Sequence, residues 1–125
     1  MLIYVVGCSA NKVKYSCKAI DMYKSQRFQS SIAKALSKPG QCFILSGLYG
    51  LLSLNDNIEP YDMDLNTKPQ LYKKDLVLRI ASQLNSKIDI STVSELRTDT
   101  VGIYLHALQE ALILSGFSGK IEVIT

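Results

Sequence analysis

The run Leu2–Cys8 (LIYVVGC) is apolar, β-branched or aromatic at nearly every position. A strand with one wet face alternates apolar and polar residues; a strand without that alternation is buried on both faces. The run therefore asks for a sheet covered on both sides. Such sheets are mostly parallel, because the helices that connect parallel strands are also what covers them. The run stops abruptly at Gly7-Cys8-Ser9, and a polar, lysine-bearing loop, Ser9–Ser16, follows.

The rest of the chain supplies the other layers. Cys17–Tyr23 reads as a short helical turn. Ser25 is an N-cap for a helix over Gln26–Ser37, with Phe28, Ile32, Ala35 and Leu36 at helical spacing and Pro39-Gly40 as its stop. Gln41–Ser46 (QCFILS) is a second strand apolar on both faces, and Gly47–Asn66 shows no clear periodicity. Thr67 caps the next helix, with Pro69 in its first turn and Tyr72, Leu76, Val77, Ile80, Ala81 and Leu84 on its apolar side. Ile88–Ser94 is a weaker third strand. Thr98 or Asp99 caps a helix running to Leu114, Gly116 stops it, and Lys120–Thr125 is the last strand. The order predicts a single α/β domain over residues 1–125. It is a three-layer sandwich around a small, mostly parallel four-stranded sheet, ordered about 2-1-3-4.

Composition bounds the function. Fourteen Lys and Arg stand against eleven Asp and Glu, a net +3, which permits an anionic ligand and falls short of a nucleic-acid coat. The three cysteines, Cys8, Cys17 and Cys42, are an odd number without a Cys-x-x-Cys pair, and His106 is the sole histidine. Neither a disulfide framework nor a metal site is indicated, and no cofactor is implied. The first strand is too short for a signal sequence and no apolar run reaches the roughly 18 residues of a membrane span. A cytoplasmic protein without a membrane partner is expected.

Ligands of open α/β sheets bind outside the carboxyl ends of the strands. The first strand ends in Gly7, Cys8 and Ser9, with Asn11, Lys12 and Lys14 beyond; the second ends in Ser46, Gly47, Tyr49 and Gly50. If the two strands are neighbours, both sets share one edge, and the long loop brings Glu59, Pro60, Tyr61, Asp62 and Asp64 towards it. A functional Cys8 needs cations beside it, and Lys12 or Lys14 can supply them; as a bland alternative it is a small residue closing a strand. Gly7 and Ser9 either make a tight turn or let the backbone approach an anion. Tyr49 and Tyr61 either stack on a base or cover the core. Lys12, Lys14, Lys18, Lys24 and Arg27 form either a solvated face or a phosphate-binding one. His106 lies off the main apolar side of its helix. Ile103 and Ile113 form a second stripe there, read as a homodimer contact through the Asp99–Leu114 helix or as more core.

Four ordered segments carry a resemblance: GCSANK (Gly7–Lys12), AIDMYKSQRF (Ala19–Phe28), LSGLYGLL (Leu45–Leu52) and EPYD (Glu59–Asp62). Together they resemble a family of small bacterial and phage domains of uncharacterised function with a Gly-Cys-Ser-x-x-Lys strand end. Tyr23 and Ser25 fall on that family's Tyr-x-Ser positions, which makes them ligand candidates by resemblance. The Cys-x-x-x-Lys strand end also resembles that of the uracil-DNA-glycosylase-like domain of archaeosine synthases, which handle a deazaguanine base in tRNA. Cys8 and Lys12 carry over; Val13-Lys14 stands where that motif has Pro-Tyr. The resemblance implies an α/β fold with a pocket for a base or nucleotide.

Three readings follow. In the first, the chain is an N-glycosidase or base-modifying enzyme: Cys8 and Ser9 hold or attack the base, Lys12 neutralises developing charge, Tyr49 or Tyr61 stacks, and Glu59 or Asp62 orients a water. In the second, a phage-type accessory protein sequesters a signalling or modified nucleotide in the same pocket without turnover. The third is a DNA- or RNA-binding accessory protein. Binding of a nucleobase, nucleotide or nucleic acid is common to all three.

Overall fold

Residues 3–7 are buried throughout, as a strand flanked on both faces requires. The computed structural model describes residues 1–124. This first strand is β1 (Leu2–Gly7). It is followed by β2 (Cys17–Lys18), α1 (Ala19–Met22), α2 (Gln26–Leu36), β3 (Gln41–Ser46), β4 (Gly50–Ser53), β5 (Asn57–Ile58), α3 (Gln70–Lys87), β6 (Glu95–Thr98), α4 (Gly102–Ser115) and β7 (Lys120–Val123). Single 3-10 turns lie at Leu65–Thr67 and Ile90–Thr92. The main sheet runs β4-β3-β1-β6-β7, with β1 at its centre. All its pairings are parallel except β4, which folds back antiparallel on β3. β2 and β5 form a separate two-stranded ribbon.

Alternation along the strands divides the core in two. Ile3, Val5, Phe43, Leu45 and Leu96 point to α3 and α4. Tyr4, Val6 and Ile44 point to α1 and α2, where they meet Met22, Tyr23, Phe28 and Ile32. Ser25 caps α2, its side chain accepting from the Phe28 amide. The cap contributes about 1 kcal/mol. Burial of Phe28 and of Ile32 contributes roughly 1.5–3 kcal/mol each, so packing holds α2 down more than capping does.

The mixed α/β sandwich has five strands in its sheet where four are expected, and the order 2-1-3-4 is corrected accordingly. The fifth strand, β4, lies in the stretch Gly47–Asn66 that shows no periodicity, because its first three residues are all buried and do not alternate. β5 lies there too. The third parallel strand is β6, not Ile88–Ser94. That stretch holds a 3-10 turn capped by Asp89, whose carboxylate accepts from the Ser91 amide. β6 escapes a hydrophobicity reading because Glu95 and Arg97 face the side of the sheet away from α3 and α4. There the Arg97 guanidinium donates to Glu95 at 2.6 Å and lies 5.9 Å from the Tyr4 ring centre.

Two expected caps also move. Thr67 sits in a 3-10 turn and donates to the Asp64 carbonyl, and Pro69 immediately precedes α3. α4 starts at Gly102, so neither Thr98 nor Asp99 caps it. Cys17–Tyr23 is β2 followed by α1 rather than one helical turn. Ile103 packs into the core while Ile113 is 76% exposed, so the two do not form one stripe. The strand expected to reach Thr125 ends at Val123, and Thr125 itself lies outside the described residues. Among the described residues no helix is long and apolar enough to cross a membrane.

The β3–β4 turn is pinned from α3. The Gln83 side chain accepts from the Leu51 amide at 2.7 Å and donates to the Tyr49 carbonyl at 3.0 Å. Gly50 has φ +80°, and a Cβ there would collide with the Gln83 amide. Gly50→Ala is expected to cost about 1–3 kcal/mol, read as a lower urea midpoint at unchanged slope; an unchanged midpoint would contradict this account of the turn.

Candidate functional site

Leaving β1, the chain moves to one side to form β3, then crosses to the other side to form β6. The order reverses between β1 and β6, and such a switch point opens a crevice at the strands' carboxyl ends. Gly7 and Cys8 leave β1 there; Asp99 and Thr100 leave β6 beside them.

Asp99 holds this seam. Its carboxylate, 13% exposed, accepts from the Gly7 amide at 2.7 Å and from the Ser31 hydroxyl at 2.7 Å, and pairs with the Arg27 guanidinium. Arg27 in turn donates to the Gly7 carbonyl at 2.9 Å and the Cys8 carbonyl at 2.7 Å. The end of β1 is thus gripped on both its donor and acceptor sides, and α2 is tied to the sheet. Position 7 is close-packed: a Cβ there would stand 3.3 Å from the Thr100 methyl, a tight contact, and 3.6 Å from the Asp99 carboxylate, an ordinary one.

A second network fixes the opposite wall. Ser46, fully buried, accepts from the Leu48 and Tyr49 amides at 3.1 Å each. Both lone pairs of its hydroxyl are spent, so its proton goes to the Tyr61 hydroxyl 2.7 Å away. Tyr61 also meets the Tyr23 hydroxyl at 2.6 Å. Burial, and then the nearby Cys8 thiol, push the Tyr61 phenol far above its ordinary value; burial does the same to Tyr23. Both phenols therefore stay protonated. The Lys12 ammonium stands 4.4 Å from the centre of the Tyr61 ring, a cation–π contact, and donates to the Ala10 carbonyl at 3.3 Å.

Between these walls lies a cleft of about 470 Å³, lined among others by Gly7, Cys8, Ser9, Lys12, Tyr61 and Asp62. Those six are site candidates of the sequence. Others of the sequence candidates lie elsewhere. Tyr23 and Ser46 are buried behind Tyr61 and support it. Ser25 is spent as a helix cap. Asn11 contributes its carbonyl to the Ser9 hydroxyl and the Lys24 amide. Tyr49 stands edge-on to Tyr61, its hydroxyl against the Glu59 backbone, and the Glu59 side chain is exposed outside the cleft. Gly47 packs under Tyr104, where a Cβ would lie 3.1 Å from the phenol oxygen. Gly50 belongs to the β4 turn. The physical reason is shared: the cleft opens between β1 and β6, not between β1 and β3, so the end of β3 buttresses it from behind. Lys12 covers the Tyr61 ring, so that face of the ring is not free to stack on a ligand.

The structure adds Arg27, Met63, Asp64, Asp99, Thr100 and Tyr104 to the lining. Arg27 was visible in the sequence only as one of a run of cations and Asp99 only as a cap; the signal that finds them is the polar Thr98-Asp99-Thr100 at the end of β6. The Tyr104 phenol is pushed up to about 12, first by burial and then by the Cys8 thiol. The cleft thus offers a cation over a ring, a partly exposed guanidinium, two rim carboxylates and an apolar wall of Met63 and Tyr104. Among the described residues no three His, Cys, Asp or Glu side chains converge as metal ligands.

Compared with known families, the chain matches one family model over residues 3–121. It belongs to a family of unknown function, DUF6884. The DUF6884 match spans every residue that lines the cleft. No curated protein and no solved structure matches the chain.

Removing the seam carboxylate strands a buried amide and a cation together. Asp99→Ala is expected to cost about 2–3 kcal/mol, read by urea unfolding, whereas Asp62→Ala on the exposed rim is expected to cost under about 0.5 kcal/mol; equal effects would show that Asp99 does not hold the seam. A pH dependence follows as well. Tyr104 and Cys42 are both held protonated up to about 12, chiefly by burial. The unfolded chain releases these protons from roughly pH 8.5–10. Stability is therefore intact below that range and falls as pH rises towards about 12. Urea unfolding across this window checks it, and Tyr104→Phe should flatten the slope.

Proposed function

We propose that the cleft between the ends of β1 and β6 binds a nucleobase or nucleotide and acts on it as an N-glycosidase or base-modifying enzyme. The observation that carries the reading is the Lys12 ammonium fixed over Tyr61 in a cleft of about 470 Å³ at the switch point of the sheet. That volume suits a nucleoside-sized ligand. The resemblance of Gly7–Lys12 to glycosylase-like domains supports the same class of ligand.

In glycosidic hydrolysis the bond from the sugar carbon to the base nitrogen breaks, and its electron pair leaves with the base. Water forms the new bond to that carbon, and its proton ends on the base. Lys12 neutralises the charge building on the departing base. Asp62, exposed on the rim, orients the water and steadies the cationic sugar. Cys8 and Ser9 hold the edge of the base, and Met63 with Tyr104 covers its face.

A second reading, sequestration without turnover, draws on His106. The chain's one histidine is exposed on α4 and paired with Glu110 at 2.9 Å, so the cleft has no imidazole base.

Mass spectrometry on the intact protein, incubated with a panel of nucleobases, nucleosides, nucleotides and short DNA and RNA, separates these outcomes. A new product, lost in Lys12→Ala at unchanged melting temperature, is the expected result. A retained ligand without product selects sequestration, and neither product nor retained ligand overturns the proposal.

A further inference from the structure

A second cavity, of about 360 Å³, lies across the Arg27–Asp99 pair from the first. Its floor is Tyr4 and Val6 of the sheet with Ile124 just beyond β7, and its wall is α2, with Ser30 and Lys34. The two cavities meet at Arg27, Asp99 and Val101, which line both. One guanidinium–carboxylate pair thus stands at the boundary between the cleft at the strand ends and the cavity under α2.

Arg27 is not used up by that pair. A guanidinium carries five N–H donors. Among the described residues three are spent, on Asp99, Gly7 and Cys8. Two remain, on a side chain 47% exposed at the boundary of the two cavities. Asp99 is the reverse: its acceptors are engaged by three donors and its charge is met by Arg27. The boundary therefore presents a partly exposed guanidinium, paired in charge with Asp99, that keeps two N–H donors free, one on Nε and one on Nη1. Lys34, seven residues further along α2, adds a second cation about 10.5 Å away, lining the second cavity.

We propose that the two cavities are the halves of one site for a dinucleotide unit: two nucleosides joined by a phosphodiester that rests on Arg27. This rests on the base-binding reading of the first cleft and extends it to the substrate class. Each cavity has the volume of a small-molecule site. The first offers the polar and cationic groups described above. The second offers an apolar floor for a base, with the Ser30 hydroxyl and the Lys34 ammonium at its edge. A phosphodiester oxygen accepts from a single free N–H of Arg27, on Nε or Nη1, while Lys34 supplies a second cation. A mononucleotide fills one half only. The same chemistry occurs in a free dinucleotide and in an internal step of a single strand.

Calorimetric titration of the intact protein tests this with 5′-mononucleotides, the matching dinucleoside monophosphates, and single-stranded hexamers. The expected result is dinucleoside monophosphate binding about tenfold or more tighter than either mononucleotide, the gain of one charge-assisted contact plus the second cavity. Lys34→Ala and Ser30→Phe, the latter filling the second cavity, should bring dinucleotide affinity down to the mononucleotide level and leave mononucleotide affinity unchanged. Both positions are exposed on α2, so the fold tolerates them. Mononucleotides and dinucleotides binding equally, or both variants keeping the full preference, would overturn the second half of the site while leaving the first intact. Binding of no base-containing ligand would overturn the base-binding reading itself. Between the supporting outcomes, tighter binding of the free dinucleotide than of the hexamers identifies a small-molecule ligand, and the reverse identifies a strand.

Discussion

A single carboxylate sets the geometry on which the rest of the site depends. Asp99 meets a backbone amide of β1, a hydroxyl of α2 and a guanidinium of α2, and so joins three elements at the one place where the sheet changes direction. Beyond their last paired residues two parallel strands have no reason to stay together. Here they do, because the side chain of Asp99, the residue after β6, completes the hydrogen bonding of β1. Arg27 then takes the carbonyls that β1 would otherwise leave bare. Glycine at position 7 eases that approach, since a Cβ there would press on the Thr100 methyl beside the carboxylate.

The opposite wall is built on a different principle. It is a chain of neutral hydroxyls, Ser46, Tyr61 and Tyr23, anchored to two backbone amides and kept protonated by burial. Its product is a ring held still, with a cation resting on its face. The cleft is therefore a charged, clamped floor facing a neutral, clamped wall. On the rim of the cleft Asp62 and Asp64 are exposed and stand outside both networks.

Much of this order is legible in the sequence, and the misses share a cause. Strands buried on both faces, such as Leu2–Gly7 and Gln41–Ser46, announce themselves by composition alone, and so does a helix such as α2 with its Ser25 cap. β6 does not. Its alternate residues face the side of the sheet without α3 and α4, so evolution has filled them with Glu95 and Arg97, and the apolar signal migrates to Ile88 and Val93, which are buried without being sheet. Misplacing that strand moves its polar end as well. Asp99 then looks like a helix cap, Arg27 like one cation of a run, and the end of β3 like half of the cleft. Gly7, Cys8, Ser9, Lys12, Tyr61 and Asp62 do line the cleft, because their positions depend on β1 and on the long loop's return, not on β6, whereas Asn11 does not.

α2 gains a further significance from having one side against both cavities. It contributes Arg27 to each and Ser30, Ser31 and Lys34 to the second. It is eleven residues long and is held by an N-cap and a buried stripe of Phe28, Ile32 and Ala35. When α2 lifts, the floor of one cavity and the wall of the other are lost in the same event. The helix is thus a common latch for both cavities, and its Ser25 cap and buried stripe hold the two shapes together.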